Sequence, residues 1–96
     1  MIRSFADAAT EAVFYGEETK ASRRLPKGLW PLIRRKLDML HAARSLADLR
    51  LPPGNKLEAL RGDRVGSHSI RVNDQWRVTF RWTATGPTEV DVVDYH

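Results

Sequence analysis

Apolar residues change their spacing once along this chain, near Asn55. Before that point they recur at helical intervals; after it they alternate with polar residues. Ile2 to Phe5 alternates over a few residues and predicts a short first strand. Ala8, Ala9, Ala12, Val13 and Tyr15 then follow a helical period over 7–15, with Asp7 as N-cap and Gly16 as the stop. The basic stretch 20–27 reads as a connector. Leu29, Leu32, Ile33, Leu37, Leu40 and Ala43 trace one apolar stripe of a second helix. Pro31 is tolerated only in a first turn, where an amide lacks an intrahelical partner, so this helix starts close to Gly28. Ser45, with Asp48 three residues on, caps one or two further turns, and Pro52-Pro53-Gly54-Asn55 closes the helical half.

The second half reads as a meander. Leu57 and Ala59 predict a strand ending at the turn Gly62-Asp63. His68, Ile70 and Val72 form the next strand, which turns at Asn73-Asp74. Trp76, Val78, Phe80 and Trp82 form a third, which turns at Thr85-Gly86-Pro87, and Val90 to Tyr95 form a last. Helices first and a meander after predict an α+β fold: a small antiparallel sheet with two to three helices on one face, as a single domain over 1–96.

Side chains two apart on a strand share a face, which divides 68–82 into two sets. Ile70, Val72, Trp76, Val78, Phe80 and Trp82 suit a core against the second helix. Ser69, Arg71, Arg77, Thr79 and Arg81 fall on the other side, expected to be uncovered. Guanidinium groups stay charged and grip phosphate through paired hydrogen bonds, so this face is a candidate RNA surface. The competing reading pairs each arginine with a nearby carboxylate, Glu58, Asp91 or Asp94 being available.

Composition narrows the chemistry. The 96 residues carry a net charge of +4 with a pI near 10.0, and no cysteine. Disulfides, thiolate catalysis and cysteine-ligated metals are therefore excluded. No stretch resembles a signal peptide or a membrane span, which sets the cytoplasm as the expected compartment and no membrane as a partner. Lys20, Arg23, Arg24, Lys27, Arg34, Arg35 and Lys36 form a run without an acid, a pattern that attracts polyanions or acidic proteins. The histidines are not clustered, and Asp91 and Asp94 read as strand-edge residues, so no metal site and no cofactor are expected. The closing Tyr95-His96 follows a strand-like run. Imidazole titrates near neutrality, and an adjacent α-carboxylate favours its protonated form.

LPPGNKLEALRGDRVGSHSIRVNDQWRVTFRW, followed by a closing VVDYH, resembles a HigB-type toxin of the RelE/ParE superfamily. MIRSF at the start and the helix leading to SLADLRLPPG extend the likeness over the whole chain. The resemblance implies the toxin of a type II toxin–antitoxin pair, which cuts messenger RNA, typically on the translating ribosome; with no metal site expected from the residues, that cleavage is expected to be metal-free. It also implies a helix-turn-helix antitoxin of HigA type, through whose complex alone operator DNA is bound. Carried over residue by residue, it makes His96 a general base or acid and Tyr95 a base-stacking or phosphate-positioning group. Arg77 becomes the group that neutralises the phosphorane, with Arg61 sharing that role. Lys56, Arg64, Arg71 and Arg81 are expected to contact RNA.

Other features read as structural. Trp76 and Trp82 belong to the core by phase, Trp30 is off the stripe and partly exposed, and His41 and His68 are structural or solvated. The chain departs from the family pattern at Glu58, where some members carry an active-site histidine, and at His68, where an aromatic is common. Glu58 thus leaves fewer candidates for a second proton-transfer group. Two alternatives stay open at this point: an antitoxin-binding co-regulator with little catalysis, and a poison of DNA gyrase on the same fold.

Overall fold

The computed structural model describes residues 1–95. Asp7 caps the first helix, α1 (Ala8–Phe14), by accepting the Thr10 amide on Oδ1 at 3.0 Å. Gly16 follows it with a φ of +72°, which ends the helix where the spacing predicts. The second helix, α2 (Trp30–Ala42), begins two residues after Gly28 with Pro31 in its first turn. The connector before it is more ordered than its polarity suggests. A 3-10 turn over Ala21–Arg24 leads into Leu25, and both Ser22 and Leu25 are buried. A further 3-10 turn spans Leu46–Arg50, where the Asp48 carboxylate accepts the amides of Arg44 and Ser45 at 2.9 and 3.3 Å. These amides hold the Asp48 carboxyl below its ordinary value.

The second half folds into one antiparallel sheet in the order β1 (Glu58–Ala59), β2 (Ser67–Arg71), β3 (Trp76–Thr83), β4 (Gly86–Asp94). β1 is shorter than the alternation from Leu57 suggests, and the last strand begins earlier, at Gly86. Ile70, Val78, Phe80, Val90 and Val92 from the sheet pack against Ile33, Leu37 and Leu40 of α2 in one core. Trp76 is buried there and Trp82 lies against its rim. This is the predicted α+β architecture.

Ile2 to Phe5 does not become a full strand. It runs beside β4 with one parallel bridge, Phe5 to Val90, while the Arg3 amide reaches the Pro87 carbonyl and the Ala6 amide the Val90 carbonyl. Thr10 Oγ1 accepts the Val92 amide at 3.0 Å and Arg24 donates to the Val92 carbonyl at 2.9 Å. The outer edge of β4 is thus closed by the N-terminal segment, α1 and one arginine, which blunts its tendency to pair with another chain. No described helix is long and apolar enough to cross a membrane.

His41 and His68 have structural positions. His41 Nδ1 accepts the Ile2 amide at 3.1 Å beside the ring of Phe14. His68 lies on the core side of β2, stacked on Phe80 across the strand pair.

Candidate active site on the second face of the sheet

Register assembles the site. On the face turned away from α2, Glu58, Ser69, Thr79 and Asp91 stand in one row across the four strands. Arg71, Arg77 and Val93 form the neighbouring row, two residues along. A third row holds Ser67 and Arg81. Adjacent rows are about 6.6 Å apart along a strand.

This face is not bare, and the sequence expectation is corrected here. Ser69, Thr79 and Arg77 are 0, 4 and 8 % exposed. The cover comes from chain segments that strand periodicity does not reveal. The backbone at Lys56 and the Tyr95 ring lie over Arg77, and the Gly62–Arg64 turn lies over the row containing Thr79. A basic strand face that reads as solvated is in fact half built over.

Arg77 is the most constrained side chain in the region. Its Nε donates to Ser69 Oγ at 2.8 Å and its Nη2 to the Lys56 carbonyl at 2.6 Å. The remaining nitrogen, Nη1, faces Glu58 Oε2 at 3.9 Å. The Tyr95 ring centroid sits 5.1 Å from the guanidinium carbon, within cation–π range. Tyr95 in turn donates its hydroxyl to Glu58 Oε1 at 3.4 Å, and its amide donates to the Gln75 carbonyl at 2.7 Å. One carboxylate, one guanidinium and one phenol therefore meet at the end of the sheet. Tyr95 and Glu58 are exposed, so the cluster opens to solvent through them.

The remaining predicted residues divide. Lys56 supplies its carbonyl to Arg77, while its side chain is exposed. Arg61 is exposed at the start of the Gly62–Arg64 turn. Arg64 and Arg81 line a polar cavity of ≈ 260 Å³ together with Asp63, Ser67, Thr79, Glu89 and Asp91. Arg81 makes a 3.8 Å contact with Glu89. Gly66 leaves room for it, since a Cβ there would stand 2.9 Å from an Arg81 nitrogen. Arg71 pairs with Asp74 at 2.5 Å, apart from this cavity. Each of these arginines has a carboxylate contact, but only Arg77 meets an acid that the competing reading names, Glu58 at 3.9 Å, while Arg71 meets Asp74 and Arg81 meets Glu89. His96 lies outside the described residues.

Glu58 is the residue that sequence reasoning undervalued. It reads as an acid available to pair with an arginine and as the loss of a histidine, with no role in catalysis, yet it stands beside both Arg77 and Tyr95. The available signal was its isolation: Glu58 is the one acid between Lys56 and Arg61, and a lone carboxylate among cations on a strand calls for a partner across the sheet.

Asp91 has its own electrostatics at the far side of the cavity. Burial pushes its carboxyl above the ordinary value and the charge of Asp7 adds to this, while Arg24 and Arg64 oppose it. Arg24 stands 2.9 Å from Asp7 Oδ1 and 3.5 Å from Asp91 Oδ1, bridging the two acids. Burial also acts to raise Asp7, but Arg24 and the Thr10 amide outweigh it and leave that carboxyl lowered. Among the described residues no group of three or more His, Cys, Asp or Glu side chains is disposed to hold a metal ion.

A family model described as the RelE-like toxin of type II toxin–antitoxin system HigB matches residues 3–96. Toxin HigB-1 of Vibrio cholerae serotype O1 is 46 % identical over 69 residues, which are 72 % of this chain and 72 % of the relative. An uncharacterized protein of Haemophilus influenzae is 41 % identical over 59 residues, covering 62 % of this chain and 58 % of that protein.

Proposed function

This chain belongs to the HigB-like family of RelE-like toxins of type II toxin–antitoxin systems, and on that premise we propose that it is a metal-independent endonuclease that cuts messenger RNA on the ribosome. As a type II toxin it has an antitoxin partner. We infer that this antitoxin is a HigA-like helix-turn-helix protein and that operator DNA is reached only through the complex.

The observation that carries the reading is the meeting of Glu58, Arg77 and Tyr95 at one end of the sheet. RNA cleavage by transesterification needs a base for the ribose 2′-hydroxyl, a cation for the phosphorane and an acid for the departing 5′-oxygen. Glu58 takes the 2′ proton, and the freed oxygen attacks the adjacent phosphorus. Arg77 neutralises the added charge. Two of its nitrogens are fixed by Ser69 and Lys56, so Nη1, beside Glu58, is the one turned to a phosphate oxygen. A donor held in place before the reaction avoids reorganisation when charge develops. His96 gives its proton to the 5′-oxygen as the phosphorus–oxygen bond breaks. The products are a 2′,3′-cyclic phosphate and a free 5′-hydroxyl. Tyr95, with its ring over the guanidinium, offers a stacking surface for the adjoining base. Lys56, Arg61, Arg64, Arg71 and Arg81 supply phosphate contacts on this face, Arg71 standing directly across from Arg77 on β2 and Arg81 two rows away.

The test is sequencing of RNA 5′ ends after expression of the chain and of a version lacking Tyr95 and His96. New 5′-hydroxyl ends inside coding sequence are expected with the parent, and a loss of about 10²–10⁴-fold in their abundance with the shortened chain. Growth arrest without new RNA ends would favour gyrase poisoning and overturn the proposal.

A further inference from the structure

The best-fixed contact of Arg77 leads away from the reaction centre to a buried amide that no catalytic role explains. Asn55 is fully buried, at 0 % exposure, and its side chain makes hydrogen bonds in three directions. Its Nδ2 donates to the carbonyls of Leu49 and Leu51, both at 3.2 Å, and its Oδ1 accepts Lys36 Nζ from α2 at 2.7 Å. The next residue, Lys56, has left-handed backbone angles, φ 46° and ψ 55°, in which a side-chain-bearing residue is seldom found. That conformation turns the Lys56 carbonyl to Arg77 Nη2 at 2.6 Å. Two residues later the same segment enters β1 as Glu58, opposite Ser69, the other anchor of Arg77.

Starting from the reading of Arg77 and Glu58 above, we propose that Asn55, clamped by Lys36, is a positioning residue: it holds the 55–58 segment so that the Lys56 carbonyl aims Arg77 and Glu58 meets it. The physical need is plain. A left-handed lysine backbone persists only where its surroundings over-determine it. Here Asn55 ties the segment to α2 and to the Leu46–Arg50 turn at once, while the Asn55 amide closes a turn on the Pro52 carbonyl at 2.9 Å. With the Asn55 side chain gone, the backbone at Lys56 is free to leave that conformation. The guanidinium then keeps Ser69 alone as a close anchor. A displacement of about 1 Å at a reacting group costs up to about 10²-fold in rate.

The test is a coupling experiment on programmed ribosomes carrying a defined messenger RNA. Asn55→Ala is measured in the parent and in an Arg77→Lys background, with antitoxin binding and circular dichroism as checks of folding. In the parent the maximal cleavage rate is expected to fall about 10–100-fold, with half-saturating ribosome concentration unchanged. In the Arg77→Lys background the same substitution is expected to cost less than about threefold, because the group it aims is already altered. A parental rate in Asn55→Ala, or an equal loss in both backgrounds, overturns the proposal. Should Asn55→Ala fail to fold, Lys36→Met is carried through the same cycle, since it removes only the 2.7 Å bond and keeps the aliphatic stem. A folded Lys36→Met whose loss disappears in the Arg77→Lys background supports the proposal. A parental rate, an equal loss in both backgrounds, or failure of Lys36→Met to fold assigns the bond to stability alone and overturns it. If Arg77→Lys itself cleaves at the parental rate, the reading of Arg77 fails first, and this inference with it.

Discussion

Arg77 and Arg81 share one face of β3, yet they are held in opposite ways. Arg77 is 8 % exposed and anchored through Ser69 and a backbone carbonyl, with an aromatic ring above it. Arg81 is half exposed and touches Glu89 at 3.8 Å on the rim of a polar cavity. A long side chain left in water loses rotamer freedom when it grips a ligand, whereas a buried one has lost that freedom on folding. The first arrangement suits a group whose position must be right when charge develops. The second suits a group that finds a phosphate and lets it go. Charge alone does not separate the two; the neighbours do.

Substitution separates them further. Arg77→Ala should lower the cleavage rate by about 10²–10³-fold, the loss seen when one preorganised donor is removed. Antitoxin binding measured in parallel should hold, and a comparable fall there would mean that the variant had lost its fold. Glu58→Gln keeps the size of the side chain and removes its capacity to take a proton. A rate loss of about 10²-fold or more is expected; an undiminished rate would move the base elsewhere. Arg81→Ala should act on affinity instead, weakening RNA binding uniformly and reducing the slope of log affinity against log salt by about one. Were Arg81→Ala to cut the rate at saturating RNA as deeply as Arg77→Ala, the distinction between fixed and mobile cation would be lost.

The sequence made the core side of this sheet easier to read than its other side. Leu32, Ile33, Leu37 and Leu40 announce α2 through their spacing, and Ile70, Val78 and Phe80 announce the surface it covers, because both periods report apolar burial directly. Alternation puts Arg77 and Thr79 on the correct face and says nothing of their depth. What buries them is a left-handed residue at Lys56, a turn at Gly62–Arg64 and the ring of Tyr95, none of which has a periodic signature. Alternation puts Arg77 on this face, but its catalytic role and that of Tyr95 come only from family likeness, and the same likeness treats Glu58 as the loss of a histidine. Asn55 read as a loop residue, because an asparagine after Pro-Pro-Gly signals a turn whether or not its side chain ends up buried.

The smallest predicted effect concerns the cavity beside Arg81 and is read in stability. Asp91 is raised above the ordinary carboxyl value by burial first and by Asp7 second. A group raised in the folded state binds its proton more tightly there, so its ionisation erodes stability as pH climbs from the unfolded value through the folded one. Asp7 works in the opposite sense: lowered in the folded state, it adds stability above the unfolded value, which is lost as pH falls through the folded one. Asp91→Asn removes the unfavourable ionisation and leaves Arg24 to Asp7 at 2.9 Å. The variant should therefore melt a few degrees higher than the parent at pH 7, and this advantage should shrink as pH falls below the ordinary carboxyl range. Melting curves across that range decide the matter. A lower melting temperature at pH 7 would mean that the 3.5 Å contact with Arg24 outweighs burial, and that Asp91 is held in the cavity by attraction.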